Sequence, residues 1–168
     1  IRKGSQGLLN KNTKILAGRE LYKYSVDQAI RVFGKCIIST GIEEILEAEP
    51  NPKCIILKRD KKLCSGDVRM EEVIDNIITE INLKEEVIVL LQATSPLRND
   101  SDIEKAIKLF EDEFDLVLSV CESVSHILKS GLMLTGDKFD GSYDGKYLFQ
   151  NRQSLPKVYR PNGAIYIT

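Results

Sequence analysis

Glu86-Val-Ile-Val-Leu-Leu91 is the stretch of this chain that decides its fold. Five apolar residues in a row follow Glu86, and all of them are β-branched or leucine. Such a run predicts a strand buried on both faces, as in an α/β sheet. The next segment, Ser101-Asp-Ile-Glu104, fits a helix capping box, and apolar residues continue at helical spacing from it to Phe110. Residues 115–121 then predict another strand.

The same alternation of strands and helices extends towards the amino terminus. Met70, Val73, Ile74, Ile77, Ile78 and Ile81 mark the clearest amphipathic helix. Before it we predict, in order, a loop over residues 1–18, a helix over 20–33, a strand over 35–40, a short helix over 43–49, a strand over 53–58 and a polar loop over 59–67. This order predicts an α/β fold with a mostly parallel (mixed) sheet and helices on both of its faces.

After residue 121 the pattern changes. Residues 131–137 and 141–146 predict strand-and-turn excursions, and residues 164–168 predict a closing strand. The chain begins inside a glycine-bearing loop and stops inside a strand. We therefore expect residues 1–168 to form a single domain that lacks its first strand and its C-terminal part.

Composition argues against several classes of partner. The 24 Lys and Arg residues nearly balance the 25 Asp and Glu residues, which argues against a nucleic-acid or membrane surface that acts through bulk charge. No apolar run approaches the ~18 residues that a membrane span needs. The four cysteines, Cys36, Cys54, Cys64 and Cys121, have no metal-ligand spacing and are predicted to be reduced core residues of a cytoplasmic protein.

Three segments carry groups suited to chemistry, and the first is Arg2-Lys-Gly-Ser-Gln-Gly-Leu-Leu-Asn-Lys-Asn12. Gly4 and Gly7 let the backbone approach a ligand closely, and N–H groups, Ser5 and the flanking cations can hold a polyphosphate. A flexible polar tail would have a similar composition.

The second segment, Leu90-Leu-Gln-Ala-Thr-Ser-Pro-Leu-Arg98, follows the buried strand. Ligands of open α/β sheets collect at the carboxyl ends of strands, where Gln92, Thr94 and Ser95 would offer amide and hydroxyl groups to a sugar. The alternative is a strand exit with Ser-Pro turn chemistry and a helix cap.

The third segment is Arg152-Gln-Ser-Leu-Pro-Lys-Val-Tyr-Arg-Pro-Asn-Gly-Ala-Ile-Tyr166. Arg152 and Arg160 suit a carboxylate or phosphates, Gln153 and Asn162 suit hydroxyls, and Tyr166 suits the wall of a sugar pocket. A solvated basic loop is the alternative.

Together these segments closely resemble the CMP-sialic acid synthetases, also called acylneuraminate cytidylyltransferases. The family's first loop reads close to Arg-x-Gly-Ser-Lys-Gly-x-Pro-x-Lys-Asn, from which Gln6 and Leu9 depart. Its second motif reads Leu-Leu-Gln-Pro-Thr-Ser-Pro-Leu-Arg, from which only Ala93 departs. The resemblance implies a nucleotide-diphospho-sugar transferase-like fold with a small dimerisation excursion after residue 121.

The resemblance also implies roles for individual residues. It places the triphosphate of CTP on Arg2, Gly4, Ser5, Gly7, Lys11 and Asn12, with Arg2 and Lys11 as the catalytic cations. It places Arg59 near the nucleotide base. It assigns the acidic sugar to Gln92, Thr94, Ser95, Lys129, Arg152, Gln153, Arg160, Asn162 and Tyr166.

The implied reaction is attack of the anomeric hydroxyl of a nonulosonic acid on the α-phosphorus of CTP, giving a CMP-sugar and pyrophosphate. Mg²⁺ is the implied cofactor. Its carboxylate ligands in the family include an Asp-x-Asp motif near the C-terminus, so no residue of this chain is named as a ligand. A homodimer in the cytoplasm is implied, and we expect the 168-residue piece to be inactive or very weak without its flanks.

Several alternatives stay open at this point. Legionaminic, pseudaminic or a related acid would fit as well as sialic acid. The 3-deoxy-octulosonate cytidylyltransferases favour Ser-Thr-Arg-Leu-Pro in the first loop, where this chain has Ser-Gln-Gly-Leu-Leu. From another class, the chain would be a non-catalytic sugar-nucleotide-binding relic, since Gln6, Gly41 and residues 66–70 depart from the family pattern.

Overall fold

The computed structural model describes residues 1, 7–84, 86–111, 114–141, 143 and 145–168. In this part of the chain the α-helices are Leu21–Phe33 (α1), Glu43–Leu46 (α2), Met70–Glu80 (α3), Asp100–Glu111 (α4) and Ile127–Ser130 (α5). The strands are Ile15–Leu16 (β1), Arg19–Glu20 (β2), Cys36–Thr40 (β3), Cys54–Lys58 (β4), Val89–Leu91 (β5), Val117–Ser123 (β6), Leu132–Thr135 (β7), Lys138–Gly141 (β8) and Val158–Ile167 (β9).

The chain forms two compact units. The first unit is Ile1–Ser119 with Gly163–Thr168, and the second unit is Val120–Asn162. The boundary lies within two residues of the point where the sequence pattern changes.

The first unit contains both kinds of strand pairing. β3 and β4 run parallel, from Cys36 opposite Cys54 to Thr40 opposite Lys58. β5 runs antiparallel to β9, and β9 lies between β5 and β6. An α/β fold with mixed pairing is therefore confirmed, while the arrangement of these strands in one mostly parallel sheet with helices on both faces stays a prediction.

Two apolar clusters form the core of the first unit. One brings α1, β3 and α2 together through Tyr22, Ile38, Ile42 and Ile45. The other joins α4, β6 and β9 through Ile103, Val117, Ile165 and Ile167. Complete burial of one such aliphatic side chain stabilises the fold by about 1.5–3 kcal/mol, so these clusters hold the strand ends in place.

The helix α4 begins earlier than the sequence predicts. The expected capping box at Ser101 and Glu104 is wrong by two residues, because the helix starts at Asp100 and the Asn99 N–H donates to Asp102 Oδ2 at 3.1 Å. A charged carboxylate three residues into the helix binds this N–H more strongly than a neutral group would.

The first 18 residues are only partly a loop. β1 and β2 form a hairpin in which Leu16 lies opposite Arg19. The two connecting residues, Ala17 and Gly18, have φ values of +47° and +81°. Positive φ at both positions is the geometry of a type I′ turn, and Ala-Gly is a weak sequence signal for it.

The second unit contains the antiparallel hairpin of β7 and β8, in which Leu132 lies opposite Gly141 and Thr135 opposite Lys138. The excursion that the sequence predicts over residues 131–137 is thus a hairpin that turns at Gly136, whose φ is +62°. None of the helices in the described residues combines the length and apolar character that a bilayer crossing needs.

Candidate nucleotide and sugar site

A buried guanidinium lies at the carboxyl ends of the parallel strands β3 and β4. Arg59 directly follows β4 and is only 8% exposed. Its Nε donates to Ser39 Oγ at 3.1 Å, and a terminal nitrogen donates to the Ser39 carbonyl at 2.9 Å. Its backbone N–H donates to the Thr40 carbonyl at 2.8 Å. Arg59 is therefore held rigidly at the edge where ligands of parallel sheets bind.

A cavity of about 530 Å³ opens beside this arginine. It is lined by the polar residues that follow β4 and by the last turns of α3: Lys58, Arg59, Asp60, Lys61, Asn76, Thr79 and Glu80. The lining combines cations and carboxylates with an amide and a hydroxyl group, which suits a polar rather than an apolar ligand.

Gly41 and Cys64 occupy neighbouring space at the same edge. A Cβ atom added to Gly41 would lie 2.7 Å from Cys64 Sγ, which is closer than real contacts allow. The Cys64 thiol also donates to the Asp60 carbonyl at 3.4 Å. The Cys64 thiol therefore fills the space that a larger side chain at position 41 would need.

Two predicted sugar-binding residues lie near the end of β5: Gln92 directly follows this strand, and Tyr166 is on its antiparallel partner β9. The Gln92 side chain lies over Gly163, where an added Cβ would be 3.0 Å from Gln92 Oε1. Tyr166 pairs with Leu90, two residues before Gln92. Thr94 is exposed and Ser95 half-buried in the turn that follows, in which the Ser95 N–H donates to the Gln92 carbonyl at 3.2 Å.

Arg98 holds this exit in place, and the sequence analysis did not assign it a role. Its guanidinium donates to Gln28 Oε1 at 2.7 Å, to the Ala164 carbonyl at 2.6 Å and to Ser25 Oγ at 3.0 Å. The Ser25 hydroxyl in turn donates to the Gln92 carbonyl at 3.1 Å. One side chain therefore ties α1, the loop after β5 and β9 to one another. The signal was available, since Arg98 ends the matched motif.

Asp100 extends this network at the start of α4. It accepts from Gln28 Nε2 at 2.8 Å and from two nitrogens of Arg31 at 2.8 and 2.9 Å. The hydrogen bond from Arg31, followed by that from Gln28, lowers the pKa of Asp100 to about 2. Burial lowers the pKa of Arg98, and Asp100 opposes that shift. Both groups therefore stay charged at neutral pH.

Part of the predicted triphosphate loop lies outside the described residues, namely Arg2, Gly4 and Ser5. Lys11 and Asn12 lie in a 3₁₀ turn, Lys11–Thr13, and Gly7 precedes it. This turn joins α1 directly, because the Leu21 N–H donates to the Lys14 carbonyl at 2.9 Å. Lys11 is half-buried and Lys14 is exposed.

The remaining predicted residues lie in the second unit. Lys129 Nζ donates to the Gln150 carbonyl at 2.9 Å. Arg152 and Gln153 form an exposed 3₁₀ turn. Arg160 is exposed on β9, and Asn162 Nδ2 donates to the Val120 carbonyl at 3.4 Å.

We expect Gly163→Ala to lower the free energy of unfolding by about 2 kcal/mol. Gly163 has a φ of +77°, which strains any residue with a Cβ, and the new methyl group would press on Gln92. Gly34→Ala is the matched control, since Gly34 has a φ of +74° and open space around its Cβ position. Urea denaturation should show a larger loss for Gly163→Ala; equal losses would mean that the contact with Gln92 contributes nothing.

No cluster of three or more His, Cys, Asp or Glu side chains in the described residues is placed to hold a metal ion. Carboxylates that could bind Mg²⁺ as a group are therefore not found in this part of the chain.

The sequence of this chain is similar to those of known proteins. The family model described as Cytidylyltransferase matches residues 1–166. The chain is 31% identical to the N-acylneuraminate cytidylyltransferase of Escherichia coli O18:K1:H7 over 99% of its own length and 40% of that protein. It is 30% identical to the N-acylneuraminate cytidylyltransferase of Streptococcus agalactiae serotype III, covering 99% of the chain and 41% of the relative. The chain thus spans about two fifths of the length of these relatives.

A further relative and a solved structure extend the comparison. The chain is 29% identical to the post-translational flagellin modification protein B of Campylobacter coli, over 99% of the chain and 73% of that protein. The structure of CMP:2-keto-3-deoxy-manno-octonic acid synthetase complexed with CTP superposes with a TM-score of 0.60 at 15% identity, over 99% of this chain and 70% of the other. This chain therefore shares the fold of that synthetase, and the resemblance to the acylneuraminate enzymes is confirmed. The chain belongs to the cytidylyltransferase family.

Proposed function

We propose that this chain is the nucleotide- and sugar-binding part of an enzyme that transfers CMP from CTP to a sialic-type nonulosonic acid. The observation that carries the proposal is the match to two N-acylneuraminate cytidylyltransferases, at 30–31% identity over 99% of the chain. The strand exit with Gln92, which carries one of the matched motifs, is held in the structure by a hydrogen bond from Ser25 to the Gln92 carbonyl and by the contact of Gln92 with Gly163.

In the proposed reaction the anomeric oxygen of the acid attacks the α-phosphorus of CTP. A new phosphorus–oxygen bond forms, the bond to the β-phosphate breaks, and pyrophosphate leaves with the electron pair. The hydroxyl proton leaves to solvent or to a base. Such transfers depend mainly on positioning and on neutralising phosphate charge, and Lys11 with Arg2 would supply that charge beside Gly4, Ser5, Gly7 and Asn12.

The base of CTP fits the edge that Arg59 occupies. The guanidinium is fixed by Ser39 and cannot relax away from a ligand, so hydrogen bonds to a base would need little further ordering. The cavity beside it offers the amide of Asn76 and the hydroxyl of Thr79.

The family motifs assign the acidic sugar to amide, hydroxyl and cationic side chains, namely Gln92, Thr94, Ser95, Lys129, Arg152, Gln153, Arg160, Asn162 and Tyr166. Amides and hydroxyls suit the sugar hydroxyls, and the arginines suit the carboxylate through paired charge-assisted hydrogen bonds.

We propose Mg²⁺ as the cofactor, because it would neutralise the triphosphate. The described residues do not form a cluster that fits it, so its ligands are assigned to none of them.

A homodimer is the proposed assembly, with the second unit as the dimerisation excursion. The hairpin of β7 and β8 leaves Leu132, Met133, Leu134 and Phe139 between 54% and 69% exposed. Adjacent apolar side chains exposed to this extent favour contact with another protein surface. A cytoplasmic location is proposed because CTP is a cytoplasmic nucleotide.

A second candidate function, binding without catalysis, is favoured by one observation. Gly41 departs from the family pattern, and Cys64 occupies the space that a larger side chain there would need. In that case the protein would bind CTP and the acid but would not join them.

Pyrophosphate release by the protein at the full length of its relatives tests the proposal. We expect release that requires CTP, Mg²⁺ and one member of a panel of sialic, legionaminic, pseudaminic and 3-deoxy-octulosonic acids. Omission of the acid and replacement of CTP by UTP are the controls. Binding of CTP without release from any acid would support the non-catalytic alternative, and release with 3-deoxy-octulosonic acid alone would overturn the sugar assignment.

A further inference from the structure

Two thiols face each other across the parallel strands β3 and β4. Cys36 and Cys54 are register partners, and their Sγ atoms are 3.1 Å apart. The pair lies at the amino ends of these strands, four residues before Thr40 and Lys58 at the opposite edge. The proposed nucleotide site does not use either cysteine.

The backbone fixes this juxtaposition. The Cys36 N–H donates to the Lys53 carbonyl at 2.8 Å, and the Cys54 N–H donates to the Asn51 carbonyl at 2.8 Å. Side chains of register partners on neighbouring strands point to the same face of a sheet. The two sulfur atoms therefore stay close as long as β3 and β4 remain paired.

The surroundings of the pair are apolar on one side and open on the other. Both cysteines are half-buried and pack against the cluster of Tyr22, Ile38 and Ile45. Burial, and then the hydrogen bond with Cys54, raises the pKa of the Cys36 thiol to about 12. Attack by the Cys36 sulfur is therefore slow at neutral pH, because the thiolate is the nucleophile.

We propose that Cys36 and Cys54 are a reversible redox modification site that forms a disulfide across β3 and β4 by exchange with a small disulfide such as oxidised glutathione. One protein thiolate attacks a sulfur of the oxidised glutathione, forming a mixed disulfide and releasing one glutathione thiolate. The second protein thiolate then attacks the protein sulfur and releases the second glutathione. Two protein protons are transferred to the two glutathione thiolates, and the pair loses two electrons.

The remaining cysteines lack this arrangement in the described residues. Cys64 lies against Gly41, and Cys121 lies on β6. The inference does not depend on the proposed enzymatic function, because it concerns a pair at the other end of the strands.

Tryptic mapping of the full-length protein tests the proposal. The protein is incubated with oxidised glutathione at about pH 8.5, which increases the thiolate fraction, and is digested without reduction. Cleavage after lysine and arginine separates all four cysteines of this chain, since Cys36 falls in residues 36–53, Cys54 in 54–58, Cys64 in 63–69 and Cys121 in 109–129. We expect peptides 36–53 and 54–58 to be joined, about 2 Da lighter than their sum, and to separate after dithiothreitol.

Two controls make the result specific. Cys64→Ser should leave the joined pair unchanged, whereas Cys36→Ser should abolish it and leave at most a glutathione adduct on Cys54. The same treatment in urea, where the chain is unfolded, should yield several pairings in place of one. Free Cys36 and Cys54 in the folded protein, adducts that never join, or preferred bonds to Cys64 or Cys121 would each overturn the proposal.

Discussion

Replacement of Arg98 by alanine is expected to lower the free energy of unfolding by about 3 kcal/mol. The substitution removes three charge-assisted hydrogen bonds, to Gln28, Ser25 and the Ala164 carbonyl. It also removes the donors to Gln28 Oε1 and Ser25 Oγ, and these two side chains are only 4% and 7% exposed. A buried polar group without its partner costs more than the hydrogen bond itself contributes.

Urea denaturation followed by circular dichroism measures this loss. Arg98→Lys should retain part of the stability. Lysine keeps the positive charge, but it lacks the planar guanidinium group that donates to three acceptors at once. Arg31→Ala is the matched control: Arg31 is in the same network through Asp100, but its side chain is 57% exposed. A surface ion pair contributes little, so its loss should be much smaller. Equal losses for Arg98→Ala and Arg31→Ala would contradict the role given to Arg98.

The network also explains what the sequence pattern misses in α1. Apolar spacing predicts the helix well: the expected range is 20–33 and the observed range is Leu21–Phe33. Its most buried positions, however, are Tyr22, Ser25 and Gln28. Periodicity of apolar residues cannot reveal a polar side chain that is buried because a residue about 70 positions away binds it. Here the deciding partner is Arg98.

The bounds of the strands, like the burial pattern of α1, are only partly predicted by local sequence. The apolar runs at 35–40 and 53–58 predict β3 and β4 to within one residue. The closing strand was expected over 164–168 but spans Val158–Ile167. Its first half, which includes Pro161 and Arg160, is exposed and carries little apolar signal, so pairing with neighbouring strands rather than local sequence determines its length.

In the candidate site, too, the sequence names single residues but does not reveal contacts between distant segments. The motif after β5 identified Gln92, and the structure places its side chain over Gly163 of the last motif. The contact of Gly41 with Cys64 could not be foreseen, because it joins two loops that are adjacent only after β3 and β4 pair. A family motif can identify single site residues, whereas a contact between two loops becomes known only from the fold.

Replacement of Lys11 by alanine is expected to have the largest effect on activity, a fall of about 100-fold or more in the rate of pyrophosphate release. Negative charge on the triphosphate shifts towards the leaving pyrophosphate as the bond to the α-phosphorus breaks. A fixed ammonium group beside the phosphates stabilises that charge more in the transition state than in the bound CTP, so kcat should fall more than the KM for CTP rises. Lys11→Arg should restore part of the rate, because it restores the charge.

Lys14→Ala provides the comparison that separates this role from a general electrostatic or structural one. Lys14 directly follows the same turn, is exposed, and contributes its carbonyl rather than its side chain to the contact with Leu21. Its loss removes one positive charge from the same region and should change the rate less than about threefold, since exposed charges are strongly screened. Steady-state kinetics and the urea midpoint are measured for both variants of the full-length protein. Comparable rate losses for Lys11→Ala and Lys14→Ala, or a loss for Lys11→Ala that follows its unfolding midpoint, would remove Lys11 from the catalytic machinery.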